Sequence, residues 1–490
     1  MESDSDKPNI LLVILDTVRA KNTSLHGHYN RTTPALEQFA AQATVYRQAR
    51  APSIHSVASH ASIWTGLHVP EHNVTEHEGR LSPEATIWTR LQREYEYQTG
   101  LFTPNYVIAN ASNLFEPFET VETPDFGNIE NARLFDAFDP TDVKELEGVS
   151  GNLKRAITSG KPVRALANTF WRGYREFNPK WHDYQKADGA EFADRFLEWE
   201  AERDGPWAAC VNVLDAHYPY IPTAEYDNWS GEKIRDLHES LAGRTLSDQY
   251  YGSNGRPWGE LKALESLYDG GIRQADAVVK QLVTALRERG ELDETLLVIT
   301  SDHGEGFGER SFVAPDCRAV THSWGVHEEI THVPLVVKWP EQHASRTETA
   351  PASLTNIPAA MERAIDRPTG IPDPSDDPLL DGPVLTMTER LRKEDRPDRP
   401  EPYFGPWKAV YEPIGDDGAV RKHVVRGETD PDVATVDCFS AQAAVESHSS
   451  DSRTIVTEAF DSLSPKPVAD GTNEVDDDVE NRLADLGYLR

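Results

Sequence analysis

Short apolar runs along the chain stop abruptly at polar side chains. Residues 10–15 lead into Asp16-Thr17, residues 207–214 lead into Asp215, and residues 296–300 lead into Ser301-Asp302-His303. Continuous apolar runs of this length are typical of buried strands. The pattern therefore predicts three buried strands, each followed by a loop that carries side chains able to bind a metal or a substrate.

Amphipathic stretches lie between these runs. Thr33-Pro34 predicts the start of a helix, with threonine at the cap and proline in the first turn. Residues 53–64 predict a second loop-to-helix junction, and apolar positions between residues 272 and 286 recur at helical spacing before Gly290. A helix, a short turn and a strand form half of a βαβ unit, so the sequence predicts an α/β fold with a largely parallel sheet.

The pattern changes past about residue 349, where Pro, Asp and Gly become frequent and the periodicity weakens. We expect residues 1–348 to form a large domain with a helical insertion at about 139–204, and residues 349–490 to form a smaller α+β domain. Within the smaller domain, the alternating segments 409–411 and 423–425 predict a small antiparallel sheet. The periodic segment 479–489 predicts a closing amphipathic helix.

The chain is strongly acidic. Its 490 residues include 49 Lys and Arg against 82 Asp and Glu, which gives a formal net charge of −33. Such a surface repels nucleic acid and anionic lipid, so we exclude both as partners. The acidic residues are spread along the chain as well as clustered in Asp376-Asp377 and Asp476-Asp477-Asp478. This spread suggests a haloarchaeal type of composition, adapted to high salt; an ordinary acidic protein is the alternative.

The cysteines and the amino terminus indicate a protein without disulfides or a membrane span. Cys210, Cys317 and Cys438 lie far apart and form no CxxC pair, so we predict neither a disulfide framework nor a thiolate metal site. Residues 1–7 are polar, and the apolar run behind them is only as long as a strand. We therefore expect a cytoplasmic protein, and the sequence leaves its oligomeric state open.

The polar residues at the strand ends form a candidate metal site. In open α/β sheets, ligands bind beyond the carboxyl ends of the strands, where distant chain segments meet. Two of the predicted strands would bring Asp16, Asp302 and His303 together there. Mixed oxygen and nitrogen ligands suit Zn or Mn, whereas an all-oxygen set would suit Ca or Mg better. The alternative for each residue alone is a capped turn or a surface acid.

Ser56 and two histidines are candidates for catalysis. Ser56 would begin a helix, where backbone N–H groups stabilise anions, and a neighbouring divalent ion would lower the pKa of its hydroxyl. His217 follows a strand end and could hold an anionic ester oxygen or protonate a leaving group. His322 is a further candidate for the pocket, and we expect His332 to be structural. The alternatives are a helix-cap serine and solvated loop histidines.

Several of these motifs resemble the sulfatase family, within the alkaline phosphatase superfamily. The opening stretch at 9–19 looks like the start of that family, and 59–66 resembles its nucleophile helix. The remaining similarities occur in the family's order: Asp215-Ala216-His217-Tyr218-Pro219-Tyr220, Tyr268-Asp269-Gly270, 301–309, Glu328-Glu329, Val333-Pro334-Leu335 and 483–489. Together these matches are specific, although each alone is modest.

The resemblance implies an alkaline phosphatase-like three-layer sandwich with a mixed, mostly parallel sheet and a smaller carboxyl-terminal sheet domain. It implies cleavage of sulfate esters, or of similar phosphate esters, through a covalent intermediate at Ser56. Asp16, Asp302, His303 and Ser56 would hold one divalent ion (Ca, Mn or Zn). His217 and His322 would contact the substrate and take part in catalysis. Arg19 is a further candidate for binding the anionic group.

Three positions depart from the family's pattern, one of them Lys21, which stands where relatives often carry Asp. Sulfatases oxidise the nucleophile residue to formylglycine in a motif whose fifth residue is arginine, and this chain has His60 there, which we take as a further catalytic candidate. Unmodified Ser56 would resemble the phosphatase and phosphotransferase branches of the superfamily. Thr17 replaces the second acidic residue of many calcium sulfatases, which brings the ligand set closer to a Mn or Zn site.

We therefore expect a metal-dependent hydrolase of sulfate esters, acting on a small molecule or a glycan. One alternative is a phosphate or phosphonate ester hydrolase, or a phosphotransferase, that uses unmodified Ser56. The alternative from another class is a non-catalytic relative that binds an anionic ligand, which His60 and Lys21 would favour.

Overall fold

The computed structural model describes residues 7–124, 154–158, 160–167, 188–242, 245–251, 255–314, 316–368, 370–389, 400–415, 417–427, 433–447 and 451–472. Its strands are β1 (Asn9–Leu15), β2 (Thr44–Arg50), β3 (Gly79–Leu81), β4 (Gln98–Phe102), β5 (Thr120–Glu122), β6 (Trp207–Val213), β7 (Thr295–Thr300), β8 (Phe307–Arg310), β9 (Arg318–Val320), β10 (Leu335–Lys338), β11 (Arg346–Ser353), β12 (Val384–Thr388), β13 (Trp407–Ile414), β14 (Ala419–Arg426), β15 (Val433–Ser440), β16 (Ala443–Ser447) and β17 (Ala469–Thr472).

The helices flank a central sheet and a second, smaller sheet. They are Pro34–Phe39, Ser56–Thr65, Val69–His72, Ile87–Tyr95, Gly189–Glu200, Glu232–Glu239, Leu246–Tyr251, Trp258–Arg289, Glu328–Thr331, Ile357–Asp366 and Ser452–Asp461, with a π-helical turn at Val107–Ala111. In the part of the chain that the structure describes, no helix is both long and apolar enough to cross a membrane.

The central sheet has eight strands in the order β11-β2-β10-β7-β1-β6-β4-β5. The pairs β1–β6, β1–β7, β4–β6, β4–β5 and β2–β11 are parallel, whereas β10 is antiparallel to both β7 and β2. All strands except β10 therefore run in one direction, and their carboxyl ends lie along the same edge. This mixed, mostly parallel sheet agrees with the predicted fold class.

Both faces of the central sheet are covered. Alternate residues of β1 contribute to different hydrophobic clusters: Leu11 and Val13 pack on one side, and Ile10 and Leu12 on the other. Side chains of successive strand residues point to opposite faces, so a strand covered on both sides must be apolar throughout. This burial explains why the run at 10–15 is continuous rather than alternating.

A second sheet of five antiparallel strands, β12-β13-β14-β15-β16, forms the predicted smaller carboxyl-terminal unit, and the helix Ser452–Asp461 packs on it. Its first strand is hydrogen-bonded to the loop before Ser56. Thr386 Oγ1 donates to Ala51 O (2.6 Å), Met387 N donates to Pro52 O (3.0 Å), and Ser53 Oγ donates to Met387 O (2.9 Å). The two sheets are therefore joined directly at the residues that lead into the Ser56 helix.

Strand β11 crosses the predicted domain boundary at residue 348, since it pairs with β2 in the central sheet up to Ser353. Part of the predicted insertion is helical, at 154–158, 162–167 and Gly189–Glu200. The rest of it, and the closing helix predicted at 479–489, lie outside the described residues.

Candidate active site

Four of the predicted site residues meet at the edge formed by the carboxyl ends of the strands. Asp16 follows β1, and Asp302 and His303 follow β7; all three are fully buried, and their ligand atoms lie within 4.8 Å of one another. Ser56 Oγ lies 3.5 Å from Asp16 Oδ2 and 3.4 Å from His303 Nε2. The sheet topology thus brings Asp16, Ser56, Asp302 and His303 to one place.

Backbone groups orient the ligand atoms of Asp302 and His303. Asp302 Oδ1 accepts hydrogen bonds from the backbone N–H of His303 (3.0 Å) and of Thr17 (3.4 Å), and Oδ2 has no hydrogen-bond partner among the described residues. His303 Nδ1 donates to Gly304 O (3.0 Å), which assigns the proton to Nδ1 and leaves the lone pair on Nε2 facing Ser56. A Cβ at Gly304 would lie 2.2 Å from Glu329 O, so glycine is required there.

One carboxylate oxygen of Asp16 accepts hydrogen bonds, and the other is bare, that is, without a hydrogen-bond partner among the described residues. Asn105, which follows β4, donates from Nδ2 to Asp16 Oδ2 at 2.8 Å. Asp16 Oδ1 has no hydrogen-bond partner in the described part of the chain. Asn105 was not predicted from the sequence, although a polar residue shortly after a strand was the signal that identified Asp16. Thr17, with a φ of 64°, turns the chain away from β1, and Tyr268 Oη donates to Thr17 O at 2.7 Å.

Burial dominates the electrostatics of the two carboxyl groups. It raises the pKa of Asp302 to about 7, and burial together with the nearby charge of Asp302 raises the pKa of Asp16 to about 7. Two buried carboxylates with bare oxygens are costly unless a cation compensates them. The bare Asp16 Oδ1, the bare Asp302 Oδ2 and the lone pair of His303 Nε2 therefore form a donor set that fits a divalent ion.

Ser56 is the first residue of its helix, as predicted. His55 precedes it in an extended conformation and caps the helix by accepting a hydrogen bond from the backbone N–H of Ala58 (3.4 Å). His60 lies one turn further, where its Nδ1 donates to Ser56 O at 2.8 Å and lies 3.7 Å from Asp302 Oδ2. Burial lowers the pKa of His60 to about 3, so its imidazole is neutral and cannot supply the positive charge of an arginine.

His217 and His322 lie beside the metal-ligand candidates. The ring centroids of His322 and His303 are 4.4 Å apart, and those of His322 and His217 are 5.7 Å apart. His217 Nδ1 donates to Tyr218 O at 2.5 Å. His322 Nδ1 lies 3.5 Å from Glu305 Oε1, and burial raises the pKa of Glu305 well above its ordinary value. Glu305 was not predicted from the sequence as a site residue.

Arg19 is placed differently from the expectation that it binds substrate. Its guanidinium is fully buried and donates to Glu265, to Glu309 Oε1 (2.8 Å) and to Glu305 O (2.8 Å). The carboxylates of Glu265 and Glu309 already neutralise the guanidinium. This geometry therefore supports a role of Arg19 in fixing the loop after Asp302 rather than contact with an anionic group. Lys21 likewise pairs with Glu329 Oε1 at 2.9 Å.

His332 is placed as a structural residue would be, with Nε2 donating to Arg47 O at 2.9 Å. Burial lowers the pKa of His332 well below its ordinary value, so its ring is neutral. Its backbone also contributes to the edge between β2 and β10, where an isolated bridge pairs it with Arg50.

Comparisons with known proteins agree with this architecture. A family model described as Sulfatase matches residues 8–365. The multifunctional alkaline phosphatase superfamily protein PehA of Trinickia caryophylli is 22% identical over 399 residues, which cover 73% of each chain. Arylsulfatase K of Bos taurus is 23% identical over 361 residues, and the match covers 73% of this chain and 62% of that protein.

Solved structures show the same fold. The phosphonate monoester hydrolase of Agrobacterium radiobacter aligns with a TM-score of 0.55 at 16% identity, over 88% of this chain and 89% of that one. A 2-O GAG sulfatase aligns with a TM-score of 0.55 at 12% identity, over 88% and 85% of the two chains. The predicted family and fold are confirmed: the chain belongs to the sulfatase family of ester hydrolases, within the alkaline phosphatase superfamily.

Proposed function

We propose that the protein hydrolyses sulfate esters by attack of a nucleophile at Ser56, beside one divalent ion held by Asp16, Asp302, His303 and Ser56. The observation that carries this proposal is the position of Ser56 Oγ, 3.5 Å from Asp16 Oδ2 and 3.4 Å from His303 Nε2, next to two bare carboxylate oxygens. Membership of the sulfatase family and the sulfatases among its relatives support the reaction class.

The residues around Ser56 supply the proton transfers of ester cleavage. The Ser56 hydroxyl donates to Asp16 Oδ2, so Asp16 can accept its proton as Oγ forms a bond to the ester sulfur. The bond from sulfur to the alcohol oxygen breaks, and His217 or His322 gives that oxygen a proton. Water then cleaves the covalent ester, which releases sulfate and restores the nucleophile. Ca, Mn or Zn, when bound, would supply positive charge for the anionic ester.

We propose a small-molecule or glycan sulfate ester as the substrate class. The names of two relatives support a glycan: an ulvan-active sulfatase of Formosa agariphila and an N-acetylglucosamine-6-O-sulfatase of Bacteroides thetaiotaomicron, which are 22% and 20% identical to this chain. We also propose that the protein works in the cytoplasm at high salt, and its net charge of −33 supports the high-salt part.

His60 favours a second candidate function, the hydrolysis or transfer of phosphate or phosphonate esters by unmodified Ser56. A neutral imidazole donates to Ser56 O where the family's formylglycine motif has arginine. Phosphonate monoester hydrolases from Agrobacterium radiobacter and Silicibacter pomeroyi also share the fold. A phosphate group is tetrahedral and anionic like sulfate, so the same donors could stabilise it.

Side-by-side assays test these proposals. Aryl sulfate, aryl phosphate and an aryl phosphonate monoester are supplied to the protein with Ca²⁺, Mn²⁺ or Zn²⁺ in turn. We expect aryl sulfate to give the highest kcat/KM; faster turnover of a phosphorus ester would establish the second candidate instead. Intact mass decides the nucleophile, because formylglycine at Ser56 lowers the mass by about 2 Da as an alcohol becomes an aldehyde, an oxidation like those known for thiols.

Ser56→Ala tests whether this residue is the nucleophile. We expect turnover to fall by at least about 10³-fold, on the scale found when nucleophile residues are removed. Ser59→Ala is the matched control, since Ser59 is buried in the same helix and its Oγ has no hydrogen-bond partner among the described residues. An unchanged rate in Ser56→Ala would remove Ser56 from the mechanism, and no turnover by the wild type on any ester would favour the non-catalytic, anion-binding alternative.

A further inference from the structure

The side chain of Asn105 has a defined orientation. Its Oδ1 accepts from the backbone N–H of Val107 (2.9 Å) and of Ile108 (3.4 Å), and its Nδ2 donates to Asp16 Oδ2 (2.8 Å). Only the oxygen can accept from backbone N–H groups, so these contacts fix which end of the amide faces Asp16. The amide is therefore locked as a donor toward the carboxylate.

The backbone beneath Asn105 is held as well. Asn105 N donates to Thr103 Oγ1 (2.9 Å), and Thr103 Oγ1 donates to Asn212 Oδ1 (3.1 Å) on β6. Asn105, Thr103 and Asn212 are all fully buried. The donor is thus tied through the segment that follows β4 to Asn212 on β6, as required of a group that orients another side chain.

The two carboxylates of the site share one arrangement. Asp302 has one oxygen held by backbone N–H groups, and Asp16 has one oxygen held by Asn105, while the other oxygen of each is bare. A carboxylate rotates about its last side-chain bond. A strong donor on one oxygen fixes that rotation and therefore the direction in which the other oxygen points. Backbone N–H groups hold Asp302 in this way. Side chains hold Asp16: Asn105 Nδ2 makes the short contact at 2.8 Å, and the Ser56 hydroxyl donates to the same oxygen at 3.5 Å.

We propose that Asn105 is a positioning residue that presents Asp16 Oδ1 to the divalent ion by holding Asp16 Oδ2. The inference rests on the proposed metal-dependent function and adds the residue that tunes the site's affinity for the ion. Groups that hydrogen-bond to a metal ligand commonly change metal affinity by about 10–100-fold when they are removed. Asn105 acts through its hydrogen bond to Asp16.

Asn105→Ser tests the proposal with little disturbance of the local turn. A serine hydroxyl can accept the N–H of the residue two positions on, as Asn105 does with Val107, but it is too short to reach Asp16. We expect the dissociation constant for Mn²⁺, measured by isothermal titration calorimetry on the full chain, to rise by about 10–100-fold. We also expect excess Mn²⁺ to restore turnover, which a general loss of folding would not allow.

Asn113→Ser is the matched control. Asn113 is a buried asparagine whose Oδ1 accepts from Leu81 N (2.9 Å) and whose Nδ2 donates to Leu81 O (2.8 Å), so it joins its loop to β3. We expect this variant to lose stability and to keep the wild-type dissociation constant. If both variants weaken Mn²⁺ binding equally, the effect of Asn105 is only structural and the proposal is overturned.

The outcomes separate this inference from the proposed function. A wild type that binds none of Mn²⁺, Zn²⁺ and Ca²⁺ contradicts the metal centre itself. A wild type that binds Mn²⁺, with Asn105→Ser binding it equally tightly, overturns only the role of Asn105. If Asn105→Ser does not fold, a crystal structure of the ion-bound wild type decides: we expect Asp16 Oδ1 on the ion and Asn105 Nδ2 on Oδ2, and coordination through Oδ2 would refute the proposal.

Discussion

A buried network of three charged side chains connects the two sheets next to the site. Glu328 Oε2 lies 3.1 Å from Arg50 Nη2 at the end of β2, and Glu328 Oε1 lies 2.9 Å from Lys422 Nζ on β14. The Arg50 and Lys422 side chains are 0% and 2% exposed, and that of Glu328 is 11% exposed. Glu328→Gln removes the only charge that lies between the two cations in this network, and we expect it to be strongly destabilising.

The expected loss of stability follows from the two buried cations that remain after Glu328→Gln. Breaking a buried ion pair by removing one partner costs about 3–5 kcal/mol, and here two cations lose the same partner, so we expect a loss of about 5 kcal/mol from the free energy of unfolding. Lys422→Met leaves Glu328 paired with Arg50 and removes hydrogen bonds from a charged donor, so we expect a loss of about 2 kcal/mol. In the Glu328→Gln background, Lys422→Met removes an unpaired buried cation and should be neutral or stabilising.

The two single variants and the double variant form a double-mutant cycle. Urea unfolding at fixed KCl measures its free energies, because urea leaves the ionic strength unchanged. Lys408→Met on the neighbouring strand β13 is the control, since its Nζ lies over the Phe460 ring at 5.2 Å and has no place in the network. We expect a coupling energy of at least about 1 kcal/mol between Glu328 and Lys422. Additive losses, or a loss below about 1 kcal/mol for Glu328→Gln, would refute the reasoning.

Two further predictions concern salt and pH. Because the net charge is −33, raising KCl from about 0.1 M to about 1 M, which shortens the Debye length from about 10 Å to about 3 Å, should raise the urea midpoint; an unchanged midpoint would contradict adaptation to high salt. Burial raises the pKa of Asp276 from 3.8 to about 6, so its charged form is disfavoured in the fold and the unfolding free energy should fall as pH rises between these values. Asp276→Asn should reduce this pH dependence in urea titrations, and an identical slope would exclude Asp276 as its source.

The sequence predicted the strands that are buried on both faces, and with them Asp16, Asp302 and His303. These strands are apolar throughout, so their ends are visible as abrupt changes of polarity. Strand β2 was not predicted, because its sequence TVYRQAR contains Arg47, Gln48 and Arg50, which form hydrogen bonds or ion pairs in the structure. The direction of β10 was also invisible, since a strand's own residues do not state which way it runs.

The long helix shows another limit of pattern reading. We expected helical spacing only from residue 272, whereas the helix is Trp258–Arg289. The pair Gly270-Gly271 is a sequence pattern typical of a helix end. In the structure, however, a Cβ at Gly271 would lie 2.5 Å from Asp215 O, and one at Gly270 would lie 2.8 Å from Pro222 Cγ. The glycines allow close packing rather than ending the helix. Asn105 was missed for a related reason, because β4 is short and contains Gly100.

The hydrogen bonds from β12 to the loop before Ser56 have a consequence for the newly made chain. Thr386 and Met387 lie more than 330 positions after their partners Ala51 and Ser53. A nascent polypeptide on the ribosome therefore holds this loop without its final hydrogen-bond partners until most of the protein has been synthesised. Truncation after the helix Ile357–Asp366 would remove these hydrogen bonds permanently. A fragment consisting of the central sheet alone should therefore not hold its nucleophile in place.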